Sequence, residues 1–285
     1  MSGEIAVVCS QADPASLNIY ERLLELLSWQ CKEGYSSYGR WRLIIHDEKQ
    51  SRLGGLDDRL AGLGLQPTMV VFASRHEAKA GLPWLGGHFT GILEDRQSRL
   101  SAASPCGLSS FLHNIAQQAV PGFAISAEAT HHGPVDLKTP CFFAEIGSTL
   151  KEWQDRQAGE AVARAILALE VKELPVFLGF GGGHYVARQT DLMFKATVAF
   201  GHLFSNYQMA GVNRDVVEEA CRKSKATYAY LDRKSLRSEE RKRIEGILAQ
   251  LDLPVLRSRE IRAKFPMQEE NYRITAKSNT HSKIF

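Results

Sequence analysis

The sequence has 285 residues, of which 44% are hydrophobic and 24% charged, and its formal net charge is +3. This length allows a substantial buried core, so the fold does not require disulfides or structural metal sites. The net charge is too small to indicate nucleic-acid binding by itself. No apolar run approaches the roughly 20 residues that a membrane-spanning helix needs, so a membrane protein is excluded.

The five cysteines are odd in number and widely separated, without a C-x-x-C pair. This pattern excludes a disulfide framework and a zinc ribbon and predicts reduced thiols. The first residues, MSGEIAVVCSQ, lack the basic and apolar regions of a secretory signal and instead predict a buried strand. We therefore expect a cytoplasmic protein without a membrane partner.

Short apolar runs rich in β-branched residues alternate with longer amphipathic stretches along the chain. The predicted strands are Ile5 to Val8, Leu43 to His46, Met69 to Ala73, Phe123 to Ile125, Cys141 to Ile146 and Val176 to Gly179. The predicted helices are Ala15 to Leu27, Leu108 to Ala119 and Leu150 to Glu170. This order predicts an α/β fold of three layers, with a mostly parallel or mixed sheet flanked by helices. We expect a single domain over residues 1–267 and a polar, basic tail over residues 268–285.

Polar side chains follow three successive predicted strands. His131 and His132 come after the first, Glu145 ends the second, and His184 follows the third. In parallel sheets, ligands usually bind beyond the carboxyl ends of the strands. Histidine and carboxylate ligands suit a metal site that keeps one position open for water. The alternative is structural: His131 would cap a turn, Glu145 would pair with an arginine and His184 would hydrogen-bond to the backbone. Because a short ligand spacing such as H-E-x-x-H is missing, the spacing alone slightly favours this alternative.

Adjacent residues on an extended backbone point to opposite faces. Of His131 and His132, only one should therefore reach a given pocket, unless the turn at Gly133 and Pro134 redirects the other. Two further histidines, His88 and His202, lie on strand-like segments flanked by glycine. A histidine in an apolar run is more often packed in the core than functional.

The segment LGFGGGHYVARQTDL has the glycines of a phosphate-binding loop but fails its specific tests. It lacks the lysine of a P-loop, and Tyr185 stands where the dinucleotide-binding pattern needs glycine. Arg188 could still clamp one phosphate or carboxylate. A covalent hydrolase is a further alternative, with Ser148 or Cys141 as nucleophile, but G-x-S-x-G does not occur.

Basic residues cluster between Arg222 and Arg243, where nine Lys or Arg accompany Tyr228 and Tyr230. Such a segment could follow a polyanion backbone, with the tyrosines available for stacking. The alternative is a solvated helix face whose glutamates pair locally with the arginines.

Several long blocks resemble the archaeal D-aminoacyl-tRNA deacylases, a family with plant relatives. They are SAEATHHGPVDLKTPCFFAEIGST, KEWQDRQAGEAVARAIL, GFGGGHYVARQTDL, AFGHLFSNY, LPWLGGHFTG, LDRKSLRSEERKRIEGILAQLDLPV and the Ser74-Arg75-His76 segment. The resemblance covers nearly the whole chain. It implies a phosphorylase/hydrolase-like α/β fold with similarity to peptidyl-tRNA hydrolase. It also implies hydrolysis of the ester that joins a D-amino acid to the tRNA 3′ end, with zinc as cofactor.

On this basis we expect His132, Glu145 and His184 to surround a zinc-activated water, with His131 and His88 as further ligands. The residues expected to hold the tRNA are Arg188, Arg222, Lys223, Lys225, Arg233, Lys234, Arg241 and Lys242. Alternative functions are a peptidyl-tRNA hydrolase, a metallopeptidase-like hydrolase, or a non-catalytic tRNA-binding protein. No obligate protein partner is indicated, and a monomer or a homodimer would fit.

Two positions depart from the family pattern. Val186 and Ala187 replace Ala-Pro after GGGHY, which predicts a looser turn before Arg188. Ile92 replaces the asparagine of His-x-x-Gly-Asn, so a substrate contact made by that asparagine would be altered or lost.

Overall fold

The structure, a computed structural model, describes residues 3–94 and 97–267. The predicted tail at residues 268–285 lies outside them, and the single domain stays a prediction. The strands are β1 (Ile5–Ser10), β2 (Gln30–Lys32), β3 (Tyr35–Tyr38), β4 (Trp41–His46), β5 (Met69–Glu77), β6 (Trp84–His88), β7 (Gly91–Glu94), β8 (Gln97–Leu100), β9 (Ala124–Ala127), β10 (Cys141–Ser148), β11 (Val176–Phe180), β12 (Ala199–Phe204) and β13 (Tyr228–Leu231). The helices are α1 (Pro14–Leu26), α2 (Leu56–Gly62), α3 (Pro105–Gln118), α4 (Leu150–Trp153), α5 (Arg156–Leu167), α6 (Ala187–Lys195), α7 (Arg214–Ser224), α8 (Ser238–Gln250) and α9 (Ser258–Lys264).

The large sheet has eight strands in the order β2-β3-β4-β1-β5-β10-β6-β9. Its four central strands, β4, β1, β5 and β10, are parallel, whereas β6 pairs antiparallel with β10 and β9 runs parallel to β6. All residues of β1 and β10 are buried, as expected of strands that are covered on both faces. The predicted mixed α/β fold is therefore confirmed.

Helices cover both faces of this sheet. On one face, α1, α3 and α5 pack against alternate strand residues such as Val71, Leu85 and Ala144. On the other face, α2 packs through Leu56 and Leu60 against the opposite set of strand residues. Among the described residues, no helix is both long and apolar enough to cross a bilayer.

A second sheet, which we did not predict, has three parallel strands in the order β12-β11-β13. The backbone joins it to the large sheet, since Thr130 N donates to Leu203 O at 2.7 Å and Ala129 N donates to His184 O at 2.8 Å. Strands β7 and β8 form a separate hairpin. The loop after β11 is thereby held beside the residues that follow β9.

The helix predicted over Leu150 to Glu170 is interrupted. It divides into α4 and α5, and Asp155 caps α5 by accepting a hydrogen bond from Ala158 N at 3.0 Å. The N-cap of α4 is Thr149, which forms a capping box with Glu152.

Candidate active site

One face of the large sheet carries a cluster of polar side chains. In the strand register, Glu145 of β10 lies between Ser74 of β5 and Gly86 of β6, while Gly147 pairs with His76 and Phe143 with His88. Residues directly opposite one another on neighbouring strands point to the same face. The cluster lies near the carboxyl ends of β5 and β10, and residues that follow β1 and β4, such as Asp13 and Lys49, line the cavity beside it.

Three histidines, His88, His131 and His132, form one side of the cluster. Their ring centroids lie 4.0 Å (His88 to His131), 4.7 Å (His88 to His132) and 4.5 Å (His131 to His132) apart. Each Nδ1 lies within hydrogen-bonding distance of a backbone carbonyl oxygen: Phe89 O at 3.0 Å, Ala129 O at 2.8 Å and Gly133 O at 2.6 Å, respectively. A carbonyl can only accept, so each Nδ1 carries the proton and each Nε2 keeps a free lone pair.

The neutral form of these rings is favoured by their surroundings. Burial lowers the pKa of His88 well below its ordinary value and that of His132 to about 4, and it also lowers the pKa of His131. The buried His88 Nε2 has no hydrogen-bond partner among the residues that the structure describes. Neutral imidazoles whose lone pairs lie close together are suited to hold a metal ion.

The backbone of His132 explains how two adjacent histidines reach one cluster. Its φ of 38° is in the left-handed region, which redirects its side chain relative to that of His131. Both rings consequently face His88.

Glu128, the residue after β9, occupies the other side of the cluster together with His76 and His184. Its carboxylate is fully buried, and Oε1 lies 3.0 Å from His184 Nε2 and 3.1 Å from His76 Nδ1. Burial favours a raised pKa for Glu128, but the hydrogen bond with His184 and the charges of His76 and His131 hold that pKa below its ordinary value. The hydrogen bond to Glu128 in turn raises the pKa of His184. Both shifts favour the same charge state, an ionised Glu128 beside a protonated His184.

Glu145 lies between the two groups. Its Oε2 is 3.6 Å from His88 Nε2, and its side chain is buried. Burial, followed by the charges of Glu128 and Asp13, raises the pKa of Glu145 well above its ordinary value, although a hydrogen bond with Ser74 opposes this. A cation beside Glu145 would reverse the shift, because it would stabilise the carboxylate.

Three overlapping sets of these residues place one potential ligand atom each within 4.8 Å of one another. The sets are His88–His131–His132, His76–Glu128–His184 and His88–Glu128–Glu145. Neither oxygen of Glu128 has a hydrogen bond of regular geometry among the described residues, although ring nitrogens lie within about 3 Å. Imidazole nitrogens and carboxylate oxygens are ligands for divalent transition metals, so the residues fit a metal ion.

A cavity of about 380 Å³ opens onto the cluster. Its wall includes His131, His132, Glu145 and His184, with the cations Lys49 and Arg75 also on the lining.

Comparison with known proteins gives the chain a family. The sequence model described as D-aminoacyl-tRNA deacylase matches residues 63–256. The chain belongs to the D-aminoacyl-tRNA deacylase family. A protein of that name from Methanothrix thermoacetophila is 48% identical over 91% of this chain and 99% of its own length, and one from Methanosarcina barkeri is 40% identical over 92% of each chain.

The resemblance to the archaeal members of this family is confirmed by these relatives, and the family is one of ester hydrolases. A crystal structure of a conserved protein of unknown function superposes with a TM-score of 0.86 and 28% identity, covering 94% of this chain and all of that one. It therefore supports the fold without adding a function.

All five expected deacylase site residues, His88, His131, His132, Glu145 and His184, lie in the cluster. They fall into different sets, however, since His184 contacts Glu128 while His132 contacts His88. We did not predict Glu128 or His76. A signal existed for each, because Glu128 precedes His131 by three residues and His76 lies three residues after the predicted strand Met69 to Ala73.

The alternative nucleophiles are engaged elsewhere. Ser148 is buried and its hydroxyl donates to Leu82 O at 2.7 Å. Burial raises the pKa of Cys141 to about 12, so its thiol is not ionised near neutral pH. His202 is the packed core histidine that the sequence suggested, with its ring nitrogens 3.1 Å from Thr130 Oγ1 and 3.1 Å from Ser101 O. His88 instead joins the cluster.

The glycine loop does not form a phosphate cradle. Gly181 N donates to Phe204 O at 2.8 Å and Gly182 N donates to Ser235 Oγ at 2.6 Å, so two of its amides already have acceptors. Both glycines have positive φ, and a side chain at Gly181 would collide with Ser235 and Leu236. These two glycines therefore serve the close approach of the loop after β13.

The basic residues expected to hold tRNA are spread over several elements. Arg222 and Lys223 end α7 and Lys225 follows it, whereas Arg233 and Lys234 come after β13. Arg241 and Lys242 lie on α8, and Arg188 lies on α6 with its Nε 3.2 Å from Asp232 Oδ1. The segment is therefore not one continuous helix face.

The two departures from the family pattern have different surroundings. Val186 is fully buried with a φ of 37° and directly precedes α6, which is an unusual conformation for a β-branched residue. Ile92 lies on β7, where it pairs with Arg99 of β8.

Proposed function

We propose that the protein hydrolyses the ester bond of D-aminoacyl-tRNA, releasing the free D-amino acid and tRNA, as a step of translation quality control in the cytoplasm. Family membership supports this reaction, and the observation that carries the mechanism is the histidine and carboxylate cluster on the cavity wall. On the family resemblance we also propose a phosphorylase/hydrolase-like fold with similarity to peptidyl-tRNA hydrolase.

We infer that the cofactor is zinc, held by His88, His131 and His132. Their Nδ1 contacts with backbone carbonyls fix the rings and leave each Nε2 free, which is the usual arrangement of zinc-binding histidines. A bound zinc ion would acidify a water molecule and polarise the ester carbonyl. Glu145, beside His88, would complete this ligand set or bind the attacking water.

Glu128 and His184 are placed to handle the proton. Glu128 Oε1 lies 3.0 Å from His184 Nε2, so in the neutral ring the proton would sit on Nε2 and the lone pair of Nδ1 would be available to take a proton from the attacking water. His184 is half-exposed and lines the cavity, so it can deliver that proton to the leaving ribose oxygen. His76, on the other side of Glu128, keeps the carboxylate in place.

Selectivity for the D configuration would arise from the shape of the cavity. Aminoacyl esters are labile, so the enzyme needs only modest acceleration but strict exclusion of the L form. A pocket achieves this by binding the amino group and leaving no room for the opposite configuration.

The test is deacylation of D-tyrosyl-tRNA by the protein as purified, after removal of metal, and after return of zinc, with L-tyrosyl-tRNA as the stereochemical control. We expect activity on the D substrate only, and its loss and recovery with zinc. Absence of D-specific hydrolysis would overturn the function, whereas full activity in rigorously metal-free protein would overturn only the zinc. Hydrolysis of N-blocked aminoacyl-tRNA instead would indicate a peptidyl-tRNA hydrolase.

The variant His132→Gln tests the ligand set. We expect it to lose bound zinc, measured by elemental analysis, and to lower kcat by at least about 100-fold, the scale of removing a group that acts on the reacting atoms. The matched control is His113→Gln, because His113 Nδ1 has the same kind of contact, to Ser109 O at 2.8 Å, but lies on α3 outside the cluster. Equal zinc content in both variants would contradict the assignment.

A further inference from the structure

Tyr207 has an unusually exposed aromatic side chain. It is 81% exposed, whereas the next large apolar side chain among the described residues, Leu150, is 54% exposed. A single exposed apolar residue is common and needs no explanation by itself. Tyr207 is notable because the turn that carries it lies beside the active site.

The short turn that carries Tyr207, Asn206–Gln208, is bound to the site from two sides. Asn206 N donates to Gly182 O at 2.9 Å, two residues before His184. Gln208 Nε2 donates to Thr130 O at 2.7 Å, directly before His131. The turn therefore lies beside two segments that carry site histidines.

The turn is also rigid. Gln208 Oε1 accepts from Ser205 N at 2.8 Å and from Ser205 Oγ at 3.0 Å, which closes a capping box around Tyr207. Both ends of the Gln208 side chain are thus engaged, one within the turn and one with the segment before His131. Because the backbone of the turn is fixed, only the side-chain torsions of Tyr207 would have to be ordered when a ligand stacks on its ring.

We propose that Tyr207 is a stacking platform for a nucleobase at the tRNA 3′ end. This inference rests on the proposed function, because the ester in the cavity would carry its ribose and base out past the cavity rim. Stacking on an aromatic face tolerates any base, which suits an end shared by all tRNAs.

The experiment compares Tyr207→Ala and Tyr207→Phe with the wild type on two substrates, D-tyrosyl-tRNA and D-tyrosine methyl ester, which has no nucleobase. We expect Tyr207→Ala to lower kcat/KM for the tRNA by roughly 5- to 150-fold, the effect of losing one stacked base. We expect no change on the methyl ester, and near wild-type values for Tyr207→Phe, since the ring remains. The matched control is Tyr38→Ala, because Tyr38 is 45% exposed but lies on β3, near the far edge of the large sheet.

Binding is measured separately as the Kd for an uncharged acceptor-stem RNA, so that the inference does not depend on turnover. A weaker Kd in Tyr207→Ala and an unchanged Kd in Tyr38→Ala support the stacking, even if the wild type hydrolyses neither substrate and the proposed function fails. An unchanged Kd and kcat/KM for Tyr207→Ala, or an equal loss on the methyl ester, would overturn the stacking and leave the proposed function intact.

Discussion

At the scale of single residues, three backbone carbonyls determine what the site histidines can do. By accepting from Nδ1 of His88, His131 and His132, these carbonyls fix one tautomer on each ring. The left-handed φ of His132 then brings adjacent residues to the same cluster. Residue type supplies the imidazole, but these local contacts decide which nitrogen is available.

The cysteines give a prediction at the same scale. We expect an alkylating reagent to modify Cys31, which is exposed on β2, and to leave Cys9 and Cys141 unmodified in the folded protein. The physical reason is burial, which raises the pKa of both buried thiols and prevents access to them. Mass spectrometry of the peptides identifies the modified sites, and deacylation by the treated protein should be unchanged. Labelling of Cys141 together with loss of activity would instead support the alternative that Cys141 is the nucleophile.

At the scale of elements, strand direction decides where the chemistry lies. The sequence places His131, Glu145 and His184 after or near successive strands, which suggests a site at one edge of a parallel sheet. The cluster does lie near the carboxyl ends of the parallel strands β5 and β10, and the opposite direction of β6 places His88 beside Phe143 on the same face. The loop after β11 reaches that face from the second sheet through the hydrogen bond between Ala129 N and His184 O.

The basic segment gives a prediction for tRNA binding. Arg233 and Lys234 follow the carboxyl end of β13, next to Ser235, which contacts the glycine loop, whereas Arg222 and Lys225 precede that strand. We expect the double variant Arg233→Gln/Lys234→Gln to weaken tRNA binding and to reduce the slope of log K against log salt by up to about two.

The double variant Arg222→Gln/Lys225→Gln is the matched control, since it removes the same charge at the other end of β13. Its smaller effect on the salt slope of the tRNA Kd would agree with the placement of the two pairs. A larger effect than that of Arg233→Gln/Lys234→Gln would indicate that the tRNA binds near the amino-terminal end of β13 instead.

At the scale of the whole molecule, many buried histidines make the folded state sensitive to acid. Burial is the largest influence on seven histidines with lowered pKa: His46, His76, His88, His113, His131, His132 and His202. The raised pKa values of Glu145 and His184 act in the opposite direction, but they are two groups against seven.

We therefore predict that the free energy of unfolding of the metal-free protein falls as the pH drops from about 6.5 to about 4. Below pH 6.5 these histidines bind protons in the unfolded chain but remain neutral in the folded chain. Lowering the pH therefore favours the unfolded state. For His202, whose pKa is lowered to about 4, the loss amounts to about 3 kcal/mol by the lower pH limit. Urea denaturation at pH 7.5, 6 and 5 measures this, and equal stability at all three values would contradict the prediction.

Much of the fold could be predicted from local pattern. The central strands β1, β4, β5, β10 and β11 are apolar runs, and each prediction overlaps the observed strand. The edge strands β2 and β3 are short and exposed or half-buried, so their sequences carry little apolar pattern. The break between α4 and α5 was also missed, because the helical spacing continues across Asp155 while the cap at that residue depends on local backbone geometry.

The sequence by itself determined the family, through long blocks such as EATHHGP and GFGGGHY, and it identified five residues that meet in the cluster. Only the tertiary structure decided how they group, pairing His184 with Glu128 and placing His88 with His131 and His132. The reason is that a ligand set is defined by distances of a few ångströms between side chains from strands far apart in sequence. Those distances depend on strand order, direction and register, which no local pattern specifies.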